Sequence, residues 1–165
     1  MSISNIGKRV FIAEGLPATN DAAGFEALTW VEIADPQVIG ALGVSNANVD
    51  VPNLSTGFTS GVKGAGTGNE VAMTFAMKAG DAGQALSRTL ANTPGDGADC
   101  SLKIIKPSGA RGVDGKLAIV VGDPVQYAHG YFGGYAENQA DTTTHEGFTG
   151  TFKQNDYTVD AVEPA

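Results

Sequence analysis

The chain has 165 residues, enough for one domain with a proper core and too few for two comfortable ones. Its hydrophobic content of 42% excludes wholesale disorder, and 23 glycines beside sparse Leu, Glu and Lys point to strands and turns rather than a helical bundle. A net charge of −8 without any basic run argues against a general nucleic-acid binder.

In chain order, Arg9 to Glu14 reads as a first strand, closed by Gly15 and Pro17. Thr19 or Asn20 then caps a short helix over Asp21 to Leu28, with Asp21 placed to suit the helix dipole. Trp30 to Ile33 is a second strand, broken by Asp35-Pro36. Val38 to Leu42 is a further short one, and Ala47, Val49 and Val51 alternate with Asn48 and Asp50. From Pro52 to Asn69 the apolar periodicity stops, and the run of Gly57, Gly61, Gly64, Gly66 and Gly68 predicts a long extended loop. Leu54, Phe58 and Val62 recur every four residues along it. Exposed apolar side chains on a mobile arm predict a surface that another subunit covers.

Val71, Met73, Phe75 and Met77 then alternate cleanly with Ala72, Thr74, Ala76 and Lys78, as in a strand with one buried face. A helix follows over residues 81–92. Asp81 is its N-cap and Gln84 the second half of a capping box, while Ala82, Ala85, Leu86 and Leu90 form an apolar stripe and Pro94-Gly95 ends it. Leu102 to Ile105 and Leu117 to Val121 read as two strands, the second a continuous apolar run and hence buried. Val125 to Glu137 is a long strand with Val125, Tyr127, His129, Tyr131 and Tyr135 on one face. A polar loop, Asn138 to Glu146, leads to a last strand over Phe148 to Phe152. The fold class predicted is mainly β: an antiparallel sandwich or barrel of one domain, 1–165, with one flanking α-helix and a long extended loop.

Motifs for chemistry are absent. Lys63 in Gly-Val-Lys-Gly-Ala-Gly-Thr-Gly is not followed by Ser or Thr opening a helix, so the glycine run is no phosphate loop. His145-Glu146 with Asp141 reads as a solvated turn rather than a metal site, and His129 as a packed or interfacial histidine. Cys100 stands alone at a strand start with no adjoining base, which excludes an internal disulfide, fits a reducing cytoplasm and disfavours a nucleophile. The opening residues Met1 to Arg9 lack the apolar stretch of a signal peptide, and no segment has transmembrane length. The expectation is a soluble protein without cofactor, metal or catalytic step.

Four segments resemble the major tail tube proteins of long-tailed bacteriophages. They are Pro17 to Trp30 (Pro-Ala-Thr-Asn-Asp-Ala-Ala-Gly-Phe-Glu-Ala-Leu-Thr-Trp), Val51 to Gly57 (Val-Pro-Asn-Leu-Ser-Thr-Gly), Val62-Lys-Gly64 before the Val71 strand, and Asp81 to Leu86 (Asp-Ala-Gly-Gln-Ala-Leu). The chain departs from that family after Phe152, where Lys153-Gln-Asn-Asp-Tyr-Thr-Val-Asp-Ala-Val stands in place of a glycine-terminated final strand. The resemblance implies a structural virion protein, assembled in the bacterial host cytoplasm into hexameric rings that stack as a homo-oligomeric tail tube beside other tail proteins. DNA then passes through the lumen without specific binding. It makes 52–69 an inter-ring stacking loop with Leu54, Phe58, Val62 and Lys63 at the contact. Glu32, Asp50, Asp123 and Glu137 are the candidates for an acidic lumen face that repels phosphate. The alternatives are a monomeric β-sandwich module that binds carbohydrate or another ligand, and a phage decoration protein.

Overall fold

The structure, a computed structural model, describes residues 4–165, so Met1 to Ile3 of the opening read for a leader lie outside it. Its strands are β1 (Arg9–Glu14), β2 (Val31–Ile33), β3 (Pro36–Val38), β4 (Val44–Asn53), β5 (Phe58–Gly68), β6 (Glu70–Ala76), β7 (Asp99–Ile105), β8 (Pro124–Glu137), β9 (Gly147–Gln154) and β10 (Val159–Val162). Two helices, α1 (Ala22–Glu26) and α2 (Ala82–Ala91), and a 3-10 turn over Gly95–Ala98 complete the described chain. Every ladder is antiparallel, as expected.

Eight strands form one sheet in the order β2-β1-β7-β8-β9-β6-β3, with β10 added to β8. The two terminal strands of that order, β2 and β3, are separated by only Ala34 and Asp35. Two residues reach roughly 7 Å when extended, so the sheet must curl until its ends nearly meet. Asp35 makes the corner in the left-handed region, at φ 52, a conformation that Asp tolerates better than most residues. The result is a barrel. Inside it the alternating side chains of six strands form one cluster, with Val10, Ile12, Met73, Phe75, Leu102, Phe132, Phe148 and Phe152 at its centre. Outside the sheet, a smaller cluster of Phe25, Ile105, Val125 and Tyr127 lies under α1 and β10, with the Phe25 and Tyr127 rings stacked at 5.0 Å.

α2 locks the corner. Asp81 caps the helix as predicted, its Oδ2 accepting the Gln84 N–H at 2.9 Å, and the same oxygen accepts the Ala34 N–H at 3.2 Å. Gln84 does not return to the Asp81 N–H, as a capping box would. Its buried amide donates to the Ala34 and Ala76 carbonyls (3.1 and 2.8 Å) and accepts from the Lys78 N–H (3.0 Å), tying β2, β6 and the helix approach together. Half of the predicted stripe packs, with Leu90 buried and Leu86 against the core, but Ala82 and Ala85 are exposed and Gly83 and Ser87 are buried in their place. Gly83 decides this, because a Cβ there would stand 2.1 Å from the Glu32 carbonyl oxygen. The helix backbone therefore lies directly on β2.

Other expectations are corrected by packing. Asp21, not Thr19 or Asn20, caps α1, accepting from the Gly24 N–H at 2.8 Å, while Thr19 Oγ1 donates to it. Residues 39–42 are irregular, and the strand lies earlier, at β3. Residues 117–121 are not a buried strand: Leu117 makes one bridge to Arg111, and Val120 and Val121 are exposed. A register shift between Phe132 and Gly134 moves Tyr135 off the predicted aromatic face of β8, so that it stacks on Phe148 at 4.7 Å beside Phe132. The divergent end forms β10, which pairs with the start of β8.

Gly83→Ala improves helix propensity by about 1 kcal/mol on an isolated helix, yet here it forces α2 off β2 and is expected to lower stability by about 1–3 kcal/mol. Gln84→Met, which leaves three backbone groups unpaired, should cost about 2–4 kcal/mol. Urea midpoints of the two variants against the parent chain decide both, and a stabilised Gly83→Ala would refute the close contact.

Candidate functional site

The segment read as a long extended loop, 52–69, is the turn and second strand of a β-hairpin, whose first strand holds the alternating run from Ala47 to Val51. β4 and β5 pair from Val44↔Gly68 to Asn53↔Phe58 as a two-stranded sheet of their own, separate from the barrel sheet. Asn53 shapes the turn: its Oδ1 accepts from the Ser55 N–H, the Ser55 hydroxyl and the Thr56 N–H, and Gly57 follows at φ 65. Two asparagines of β4 lie against glycines of β5, Asn46 directly opposite Gly66 and Asn48 diagonal to Gly61. A Cβ at Gly61 would meet Asn48 Oδ1 at 2.5 Å, and one at Gly66 would meet Asn46 Nδ2 at 3.0 Å. The glycines therefore serve pairing and not only bending.

Cross-strand partners share a face. Val49↔Val62, Val51↔Ser60 and Asn53↔Phe58 put Val49, Val51, Val62 and Phe58 on one side, while Asn48↔Lys63 and Asp50↔Gly61 fall on the other. All four apolar residues are exposed, Phe58 at 77%, and Leu54 at the turn is wholly so. The structure thus puts Phe58 and Val62 on one apolar face, with Leu54 exposed in the turn at its tip, and Lys63 on the opposite face, its ammonium 5.7 Å above the Tyr157 ring. A lone two-stranded ribbon is marginal in water, and its free edges invite pairing.

What holds the ribbon is its root. Gln154, fully buried, accepts the Gly43 N–H at 3.0 Å and donates to the Asp156 carbonyl and the Thr158 hydroxyl. Lys153 Nζ donates to the Gly68 carbonyl at 2.6 Å, Asn46 donates to the Tyr157 hydroxyl at 3.0 Å, and a Cβ at Gly68 would stand 2.1 Å from the Gln154 carbonyl. Sequence reading missed Gln154, Asn46 and Tyr157. Their only signal was polarity beside a strand end, which any turn shares.

The four candidate lumen acids are not brought together. Asp123 is 2% exposed, accepting from the Ser108 hydroxyl and N–H and from the Val120 N–H, and those bonds, the hydroxyl first, hold its carboxyl below the usual range. It closes a turn and is no outward acid. Glu32 is half-buried in an ion cluster: Arg9 binds it through two nitrogens at 2.6 and 2.8 Å, and Lys116 at 3.0 Å. Burial pushes its carboxyl up, but the bonds from Arg9 and Lys116 outweigh that and hold it below its ordinary value. Glu137 is exposed 3.6 Å from Arg88, and Asp50 is exposed on the ribbon's polar face.

Reactive groups are similarly engaged. Cys100 is buried, which pushes its thiol up to about 12. His129 faces Asp156 at 3.6 Å, and His145 lies against Gln37. Asp141 is taken by Thr143 and Thr144. Among the described residues no three His, Cys, Asp or Glu side chains are grouped as for a metal ion.

Neither a protein-family model nor a curated protein sequence matches the chain. Among solved structures, the chain is similar over 99% of its length to the SPP1 tail tube, with 81% of that chain covered, 12% identity and a TM-score of 0.61. It is also similar to the baseplate of the anti-feeding prophage (AFP), solved with six-fold symmetrisation, over 99% of this chain and 98% of that one, at 12% identity and a TM-score of 0.55. The likeness is one of fold, and it agrees with the resemblance read from the sequence.

Because Phe58 is exposed and belongs to neither core cluster among the described residues, Phe58→Ser should leave the melting of the isolated subunit within about 0.5 kcal/mol of the parent. A larger loss would mean the ribbon belongs to the core. The lowered Glu32 value makes its contribution present above the ordinary 4.5 and lost as pH falls through the folded value. Glu32→Gln should thus be less stable at pH 7, by about 1 kcal/mol, with the gap to the parent closing below pH 4.5. Urea melts between pH 3 and 7 test it.

Proposed function

We propose that this chain is the subunit of a phage-type tail tube, a structural protein with no catalytic step, whose copies close into hexameric rings that stack around a channel for DNA. The observation that carries the reading is the β4–β5 ribbon: a rooted, ordered hairpin that exposes Leu54, Phe58, Val49, Val51 and Val62 to solvent. On a barrel that shares its fold with a tail tube subunit and a baseplate protein, such a ribbon is an arm for a neighbouring copy. Contacts between unlike surfaces of identical chains close into rings or propagate along an axis, and a tube needs both.

The arm differs from the one expected of the sequence. An ordered hairpin loses less conformational freedom on docking than a loop that folds on contact, so less of the contact energy is consumed in ordering it. An acidic lumen would rest on Asp50, Glu137 and the acids after Glu137, since Asp123 is buried and Glu32 is neutralised by Arg9 and Lys116. The net charge of −8 favours DNA that slides without adhering.

Negative-stain microscopy of the concentrated protein should show rings or tubes. A ligand-binding module would stay a monomer throughout, and a decoration protein would appear on particle exteriors. Replacing residues 46–66 by a two-residue Asn-Gly turn, which the Ser45↔Thr67 pair can accommodate, should give a folded subunit that forms no tubes. Tubes from that variant would reject the arm.

A further inference from the structure

The barrel is open where its ends approach each other. Beyond Ile33, where β2 stops, a groove of about 760 Å³ separates residues 5–8 from β3 and the segment that follows it. Val38, Ile39 and Leu42 line one side, Ile6 and Lys8 the other, and Ile104 of the core reaches it. Ile6 and Val38 are mostly exposed. β3 is a terminal strand of its sheet, so its edge away from β6 carries no ladder among the described residues.

We propose that this groove receives the β4–β5 ribbon of a second copy, with Phe58 and Leu54 against Val38, Ile39 and Leu42 and the ribbon's free edge beside β3. The inference rests on the tail tube reading and names the surface on which its arm lands. Three features favour this occupant. First, the groove's apolar side chains and the ribbon's apolar face are both uncovered, and groove and ribbon occur in equal numbers in any homo-oligomer. Second, each offers a free strand edge, and adding a strand satisfies both. Third, charge selects them. Copies carrying −8 repel over most of their surfaces, but the groove's lining contains no acid and one base, Lys8, and the ribbon holds only Asp50 and Lys63. Surfaces depleted of charge are where an interface core forms.

The contact is between unlike surfaces, so each copy offers one arm and one groove and the chain of contacts propagates. Cysteine pairs read it out, because the native Cys100 is buried with its thiol pushed up to about 12 and stays silent. The double variant Val38→Cys with Phe58→Cys, oxidised under assembling conditions, should give a ladder of disulfide-linked multimers. Val113→Cys with Phe58→Cys, using an exposed residue outside the groove, should give none. Separately, Val38→Asp should melt as the parent does and form no particles at concentrations where the parent forms them. Particles from Val38→Asp, or cross-links through Val113 instead of Val38, would overturn the groove while leaving the tube reading intact. A parent chain that never assembles would overturn both.

Discussion

The fold depends on one corner. Ala34 and Asp35 join the two ends of an otherwise open sheet, and a two-residue link cannot hold a curled sheet shut by itself. The N-terminus of α2 does so. Asp81 takes the Ala34 N–H, Gln84 takes the Ala34 and Ala76 carbonyls, and Gly83 lets the helix backbone rest on β2. Backbone groups at a sheet corner have no ladder partner, and buried unpaired they would each cost about 1–3 kcal/mol. The helix replaces that missing ladder with side chains. Closure in turn lets phenylalanines from β6, β8 and β9 meet the aliphatic residues of β1, β2 and β7 in one cluster.

The same closure explains where the molecule stays unfinished. A barrel that curls by tilting its strands brings its ends together unevenly. α2 covers the part next to β2, while the part beyond Ile33 remains a groove. The ribbon is unfinished in a complementary way: its root is satisfied by Gln154, Lys153 and Tyr157, and its apolar face by nothing among the described residues. Stability of the subunit and competence for contact therefore lie in different residues. Changes to the ribbon's face leave the barrel cluster intact, and changes at the corner act on the fold first.

How much of this could be read from the sequence follows from burial. β1, β6 and β9 each bury a face against the core, and the sequence placed them to within two residues, whereas β7, buried on both faces, was read only from Leu102 onward. The β4–β5 ribbon buries neither face: Ala47, Val49 and Val51 of β4 still alternate in the sequence, but β5 left no period-two signal, and its glycines read as flexibility although several sit against Asn48, Asn46 or Gln154. The run 117–121 misled in the opposite direction, since apolar residues marked a surface rather than a strand. Asp81 was legible because capping is local. The true work of Gln84 was not, because its partners Ala34 and Ala76 are set by tertiary closure. Asp123 illustrates the limit of parity: one residue outside β8, alternation no longer says which way a side chain turns.

Charge and apolar surface then act on different length scales. Repulsion between copies at −8 extends over about 8 Å at physiological salt, whereas the apolar faces of ribbon and groove act only on contact. Random encounters are opposed before any apolar contact forms, and on the proposed reading only an approach that aligns the two charge-poor surfaces would gain enough to persist. A free sheet edge and an exposed Phe58 would otherwise be aggregation hazards. On the proposed reading the net charge makes them selective: the acidity that keeps copies apart in most orientations would restrict them to the one in which arm and groove meet.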